Sequence, residues 1–129
     1  MVDQNEICIL IAASPLATRS ALKLLMNEQS GLKVVSEAQD SHELLKKIES
    51  TCPDVLLLDW EMLGRATPVL INAISTMNNE LVMIVLSPEK DLEQAALDAG
   101  ADAFVNTGDS PRELLNTINE LISANIVNE

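Results

Sequence analysis

Several residue types that would signal particular chemistry are scarce in this chain of 129 residues. Its two cysteines, Cys8 and Cys52, form no CxxC pair and do not lie beside the single histidine, His42. This pattern does not indicate a metal site or redox chemistry, so we expect both thiols to be free. His42 stands beside Asp40 and Ser41 at a helix start, so we expect it to lie at the surface. Only Trp60 and Phe104 are aromatic, which excludes a series of rings on which nucleic acid bases could stack.

Positive charge is also scarce. Eight lysines and arginines stand against twenty aspartates and glutamates, for a net charge of −12. A surface of this sign repels a phosphate backbone, so we expect no direct contact between this domain and nucleic acid. No apolar run approaches the roughly 18 residues that cross a bilayer, and the start MVDQNE lacks the features of a signal peptide. We therefore expect a cytoplasmic protein with no membrane contact.

The length and the apolar content favour one domain. With 47% hydrophobic residues, the chain can bury a substantial core without disulfides or structural metals. We assign residues 5–125 to this domain. Residues 126–129 are interpreted as a tail or the start of a linker.

Apolar segments rich in β-formers alternate with stretches of helical period along the whole chain, and no repeat or low-complexity segment interrupts them. This alternation is typical of an α/β fold with a parallel sheet. VLLLD and LVMIVL are continuous apolar runs, as expected of central strands covered on both faces. The predicted strands are residues 7–12, 33–38, 55–59, 81–86 and 103–106.

Four hydroxyl residues stand directly before a proline, which is the preferred order of residues at a helix start. These pairs predict helix starts at Ser14-Pro15, Thr67-Pro68, Ser87-Pro88 and Ser110-Pro111. The last helix carries a broad apolar stripe at spacings of three and four, whereas the fourth has a narrow, alanine-rich one that ends at Gly100. We expect the fourth helix to pack closely but to bury little area, and so to be the least anchored.

Five segments of the chain resemble the receiver domain of two-component response regulators, particularly receivers that precede helix-turn-helix output domains in transcription factors. The segments are ILIA, LKVVSEA, PDVLLLDWEM, MIVLS and DAGADAFV. The resemblance runs nearly end to end. It implies a flavodoxin-like fold, with a five-stranded parallel sheet in the order 2-1-3-4-5, helices on both faces, and a site at the strand ends.

The resemblance also implies roles for particular residues. Asp59 stands at the phosphoacceptor position of the family. Ser87 and Phe104 stand at the two positions that respond to phosphorylation in typical receivers. From the residues alone, Asp59 is expected to accept hydrogen bonds from loop amides, Ser87 to cap a helix, and Phe104 to pack in the core.

Other family positions are degenerate. The two adjacent acids that help to hold magnesium are matched by Ala13 and Ser14, and no acid occurs between Glu6 and Glu28. The lysine that contacts the phosphoryl oxygens is matched by Thr107, and no lysine follows Lys90. We therefore expect no metal site, magnesium binding that is absent or weak, and little phosphorylation of Asp59, on the premise that it is the only carboxylate in the pocket.

These observations favour a pseudo-receiver, a signalling module without enzymatic activity or cofactor. The resemblance implies that it would act through a protein partner or a homodimer, with the fourth helix, fifth strand and fifth helix as the contact face. Trp60 is expected either to cover part of the pocket or to be exposed for a partner.

Two alternatives stay open. One is a receiver that a histidine kinase phosphorylates on Asp59 and that controls a DNA-binding output domain. The other is a flavodoxin-like cofactor binder, with a phosphate held at the helix start near Ser14. Pro15 argues against the second, because it removes an amide donor from that helix start.

Overall fold

Five parallel strands form a single sheet in a computed structural model that describes residues 6–77 and 80–127. The sheet order is β2-β1-β3-β4-β5, which confirms the predicted architecture. Three strands have the predicted bounds, whereas the second begins one residue earlier and the fourth is displaced by one residue. The strands are β1 (Ile7–Ala12), β2 (Leu32–Ala38), β3 (Val55–Asp59), β4 (Val82–Ser87) and β5 (Ala103–Asn106).

Helices connect the strands and follow the last one. They are α1 (Leu16–Asn27), α2 (Ser41–Thr51), α3 (Thr67–Met77), α4 (Glu93–Ala99) and α5 (Pro111–Val127). Because α5 extends to Val127, residues 126 and 127 of the predicted tail are helical. The predicted domain start at residue 5 and the tail residues 128–129 lie outside the described residues. Within the described part of the chain, no helix combines the length and apolar character needed to cross a membrane.

The sheet is covered on both faces, because the side chains of a strand alternate between them. On one face, alternate residues of the strands pack with α2, α3 and α4. On the other face, the intervening residues pack with α1 and α5. Strand β3 shows the division, since Val55 and Leu57 belong to the second cluster and Leu56 and Leu58 to the first.

Only one of the four predicted helix caps is correct. Ser110 precedes α5, and its Oγ accepts a hydrogen bond from the Arg112 N–H at 3.2 Å. By contrast, α1 begins at Leu16, and the Ser14 hydroxyl donates to the Gln39 carbonyl oxygen at 3.3 Å. The prediction for Ser14 was wrong because its hydroxyl finds an acceptor in the loop after β2.

The other two predicted caps are also wrong. Thr67 is the first residue of α3, and its buried hydroxyl donates to the Trp60 carbonyl at 2.8 Å. Ser87 ends β4, and its Oγ accepts from the Glu89 N–H at 3.1 Å in a turn. Helix α4 begins only at Glu93, after the 3₁₀ turn Lys90–Leu92.

The small buried area expected for α4 is confirmed. The helix has seven residues, of which only Ala96 is buried. Gly100 ends it with a φ of 126°, and a Cβ at this position would lie 2.6 Å from Ser75 Oγ on α3. Close approach to α3 therefore holds this short helix, rather than a large apolar stripe.

Candidate functional site

The carboxyl ends of the parallel strands meet at one edge of the sheet, beside the point where the strand order reverses around β1. Asp59 ends β3 and Ser87 ends β4, while Ala13 follows β1 and Thr107 follows β5. The Thr107 N–H donates to the Ser87 carbonyl at 3.0 Å. The fold thus brings the predicted positions to the same edge.

Asp59 lies half-buried at this edge. One of its carboxylate oxygens, Oδ1, accepts a hydrogen bond from the Glu61 N–H at 3.0 Å. Burial raises the pKa of the Asp59 carboxyl, and the bond from the Glu61 amide opposes this by lowering it. The expectation that Asp59 accepts a loop amide is confirmed.

A cleft of about 320 Å³ opens beside Asp59. No basic side chain is among the residues that line it. Leu22, Leu86 and two prolines form its apolar part, and Thr18 and Thr107 contribute polar side chains. The complete lining is Pro15, Thr18, Leu22, Asp59, Glu61, Leu86, Pro88 and Thr107.

Glu61 is a second acid in this cleft, which corrects the expectation that Asp59 would be the only carboxylate there. The reason is the 3₁₀ turn Trp60–Met62, which follows β3 directly and leaves Glu61 exposed beside the cleft that Asp59 also lines. A signal was present in the sequence, since Glu61 follows a strand-ending aspartate by two residues.

Ala13 and Ser14, which the resemblance placed at the positions of the acidic pair, do not line the cleft. Ala13 is fully buried and Ser14 is exposed. Both backbone carbonyls accept bonds from Nη1 of Arg19, at 2.8 Å for Ala13 and 2.7 Å for Ser14. The Nε atom of Arg19 also lies 3.4 Å from the carboxylate of Glu37 on β2.

Arg19 thus places a positive charge at the turn between β1 and α1. Its side chain is only 12% exposed, and the two carbonyls and Glu37 hold the guanidinium in place. Sequence reasoning missed this residue, because its acceptors are backbone carbonyls and a carboxylate on a neighbouring strand.

The two predicted switch positions, Ser87 and Phe104, have different surroundings. Ser87 is fully buried, and Phe104 is partly buried and packs against the cluster beneath α2, α3 and α4. The expectation that Phe104 is a core aromatic is confirmed.

Trp60 is buried and His42 is exposed. Trp60 is 8% exposed and packs into the same cluster as Phe104, so both predictions for its position were wrong. The turn after β3 directs the indole into the core. His42 is exposed near the start of α2, as expected.

Comparison with protein families identifies relatives along most of the chain. The family model described as "Response regulator receiver domain" matches residues 9–119. Response regulator UvrY of Escherichia coli (strain K12) is 26% identical over 127 residues, which are 95% of this chain and 53% of that protein. The uncharacterized transcriptional regulatory protein YhcZ of Bacillus subtilis (strain 168) is 32% identical over 111 residues, 84% of this chain and 52% of that protein. The chain therefore spans about half the length of these curated relatives.

Solved structures with the same fold include the isolated REC domain of RcsB from Salmonella enterica serovar Typhimurium, in the presence of phosphomimetic BeF3−. It aligns with a TM-score of 0.83 at 22% sequence identity, and the match covers 92% of this chain and 90% of that one. At this identity, the likeness establishes the fold.

Proposed function

The chain belongs to the response regulator receiver domain family of two-component signalling, and from this premise we propose that it is an atypical receiver. It transmits a signal through protein contacts, without magnesium-dependent phosphorylation of Asp59. The proposal includes a cytoplasmic location and the absence of enzymatic activity.

The observation that carries the proposal is the composition of the strand-end edge. Magnesium prefers near-octahedral coordination by oxygen, often with one or two carboxylates and several waters. Asp59 and Glu61 offer carboxylates in the cleft, but Ala13 offers only a methyl group and the Ser14 hydroxyl is bonded to Gln39. The Ala13 and Ser14 backbone carbonyls already accept hydrogen bonds from Arg19. These residues do not fit the magnesium site that the family implies.

The cleft is also unsuited to an anionic phosphoryl donor. Two carboxylates line it without a basic side chain, and Thr107 stands where the family has a lysine. In other active sites, loss of one preorganised electrostatic partner lowers the rate by about 10²–10³-fold. Losing the lysine and the acidic pair together should make phosphorylation of Asp59 slower by several orders of magnitude.

The signalling surface of this proposal is the face made by α4, β5 and α5, and it binds a protein partner or a second copy. Helix α4 presents Leu97, which is 38% exposed, and buries little of its own surface. Because this chain spans about half of each curated relative, a DNA-binding output domain is proposed as one such partner.

A second candidate function is a receiver that a histidine kinase phosphorylates on Asp59. The geometry of the strand-end edge favours it, because Asp59 lines an open cleft with Thr107, whose N–H is bonded to Ser87 at the predicted switch position. Under this alternative, magnesium and a phosphoryl donor would both act at Asp59.

The two candidates are separated by exposing the chain to Mg²⁺ and acetyl phosphate. The atypical receiver is expected to show no saturable Mg²⁺ shift of the Glu61 amide resonance up to about 1 mM, the weak end for oxygen-ligated divalent sites. Intact-mass spectrometry should detect no more phosphorylated protein than in Asp59→Asn, the matched control. Phosphorylation of the parent that is absent from Asp59→Asn would establish the second candidate instead.

A further inference from the structure

The cleft beside Asp59 has two chemically different sides. Leu86 is 2% exposed and Leu22 is partly buried, and together with Pro15 and Pro88 they present apolar surface. Asp59 and Glu61 present carboxylates on the polar side. Most ligand sites combine an apolar lining with a few polar groups that orient the ligand, and this cleft has that composition.

The charge of the polar side is uncompensated. Among the described residues, the ion pairs are Arg19 with Glu37 and Lys23 with Glu37, so neither Asp59 nor Glu61 belongs to one. The hydroxyl groups of Thr18 and Thr107 also form no hydrogen bond within the described part of the chain. A cationic donor would therefore find acceptors without displacing an existing partner.

The apolar side distinguishes between kinds of cation. A hydrated metal ion gains nothing from contact with Leu22 and Leu86, whereas an organic cation removes its own apolar surface from water there. A protonated primary amine brings three N–H donors, enough for both carboxylates and one threonine hydroxyl. The cleft volume of about 320 Å³ is near the lower end for small-molecule sites, which requires a compact ligand.

We propose that this cleft binds a small organic amine, with the ammonium group between Asp59 and Glu61 and the apolar body against Leu22 and Leu86. The inference rests on the proposed function in one respect, since an amine can occupy the cleft only if magnesium and a phosphoryl group do not bind there.

The test uses three probes of equal shape: cyclohexylmethylamine, cyclohexylmethanol and cyclohexanecarboxylate. Each is titrated into the isotopically labelled chain at neutral pH without Mg²⁺ or acetyl phosphate, and the Glu61 and Thr107 amide resonances are followed. The amine is expected to saturate at low-millimolar dissociation constant, the alcohol to bind about tenfold more weakly, and the carboxylate to cause no saturable shift.

Substitutions in the cleft test which side chains contribute to amine binding. Asp59→Asn and Glu61→Gln are each expected to weaken amine binding about three- to tenfold, the range for losing one partly exposed charge-assisted hydrogen bond. Thr107→Lys, at an exposed position, should abolish it by placing an ammonium in the cleft. Glu93→Gln on α4 is the matched control, since it removes an exposed acid outside the cleft and should change nothing.

Equal affinity for the amine and the alcohol would overturn the proposal, as would an amine affinity unchanged by Asp59→Asn or lowered equally by Glu93→Gln. A single site with a millimolar dissociation constant is about 90% filled when the ligand is about tenfold more concentrated. If the amide shifts do not saturate at that amine concentration, the proposal is also overturned. Because these titrations omit Mg²⁺ and acetyl phosphate, failure here leaves the proposed function standing. Phosphorylation of Asp59 in the other experiment would instead remove the premise.

Discussion

At the scale of single residues, Asp59 is subject to two opposing influences. Partial burial favours the neutral carboxyl, and the Glu61 N–H favours the carboxylate, with burial the larger effect. The folded state therefore holds a proton on Asp59 more tightly than the unfolded chain does. Its contribution to stability is present in full below the ordinary pKa of 3.8 and is lost as pH rises through the raised value.

Asp59→Asn is therefore expected to be more stable than the parent at pH 7, because the amide needs no desolvated charge and its oxygen can still accept from Glu61. The difference should shrink as pH falls towards 3.8, where Asp59 itself becomes neutral. Urea unfolding at a series of pH values measures it. Asp91→Asn, at an exposed position, is the control. A variant less stable than the parent at pH 7 would show that the ionised carboxylate is stabilising.

At the scale of secondary-structure elements, two aspartate side chains add hydrogen bonds between neighbouring strands to those of the backbone. Asp54 precedes β3, and its carboxylate accepts from the Cys8 N–H on β1 at 2.8 Å. Asp102 precedes β5, and its carboxylate accepts from the Met83 N–H on β4 at 2.7 Å. Each satisfies an amide near the start of the neighbouring strand, which would otherwise lack a strand partner. Sequence reasoning placed both segments in motifs but did not assign these bonds.

The helix starts provide a test at the same scale. Ser110→Ala is expected to lower the free energy of unfolding by about 1 kcal/mol, because its Oγ caps α5 through the Arg112 N–H. Ser14→Ala is the matched control. Its hydroxyl is exposed and bonded only to Gln39, so the loss should stay within about 0.5 kcal/mol, as for most surface substitutions. Urea unfolding of the two variants compares them, and equal losses would contradict the assignment of the cap.

At the scale of the whole molecule, charge is unbalanced. The net charge is −12, and the ion pairs of the described residues both converge on Glu37. Like charges across a compact surface repel one another more than in the expanded unfolded chain, which lowers stability. Added salt screens this repulsion.

The melting temperature at neutral pH is therefore expected to rise by several degrees between about 0.02 and 0.5 M NaCl, since the Debye length falls to a few ångströms over this range. Differential scanning calorimetry measures the change. Near pH 4, where many carboxylates are protonated, the effect should be much smaller. A salt effect of equal size at both pH values would assign it to something other than charge repulsion.

Much of the fold followed from local pattern. Apolar alternation and continuous apolar runs located the five strands, with bounds within one residue of those observed. Periodicity did not determine the strand order, which came from the resemblance to receivers. The hydroxyl-proline pairs were locally equivalent, yet only Ser110 caps a helix, because Ser14 and Thr67 bond to carbonyls elsewhere in the fold.

For the candidate site too, some features follow from the sequence and others depend on contacts between distant segments. The sequence by itself determined that Asp59 ends an apolar segment, that no acid lies between Glu6 and Glu28, and that no lysine follows Lys90, since these are facts of composition and order. Only the tertiary structure decided that Glu61 shares the cleft, that Arg19 binds the Ala13 and Ser14 carbonyls, and that Trp60 lies in the core. A hydrogen bond or a burial depends on which distant segments the fold brings within a few ångströms, and strand and helix periodicity carries no information about that distance.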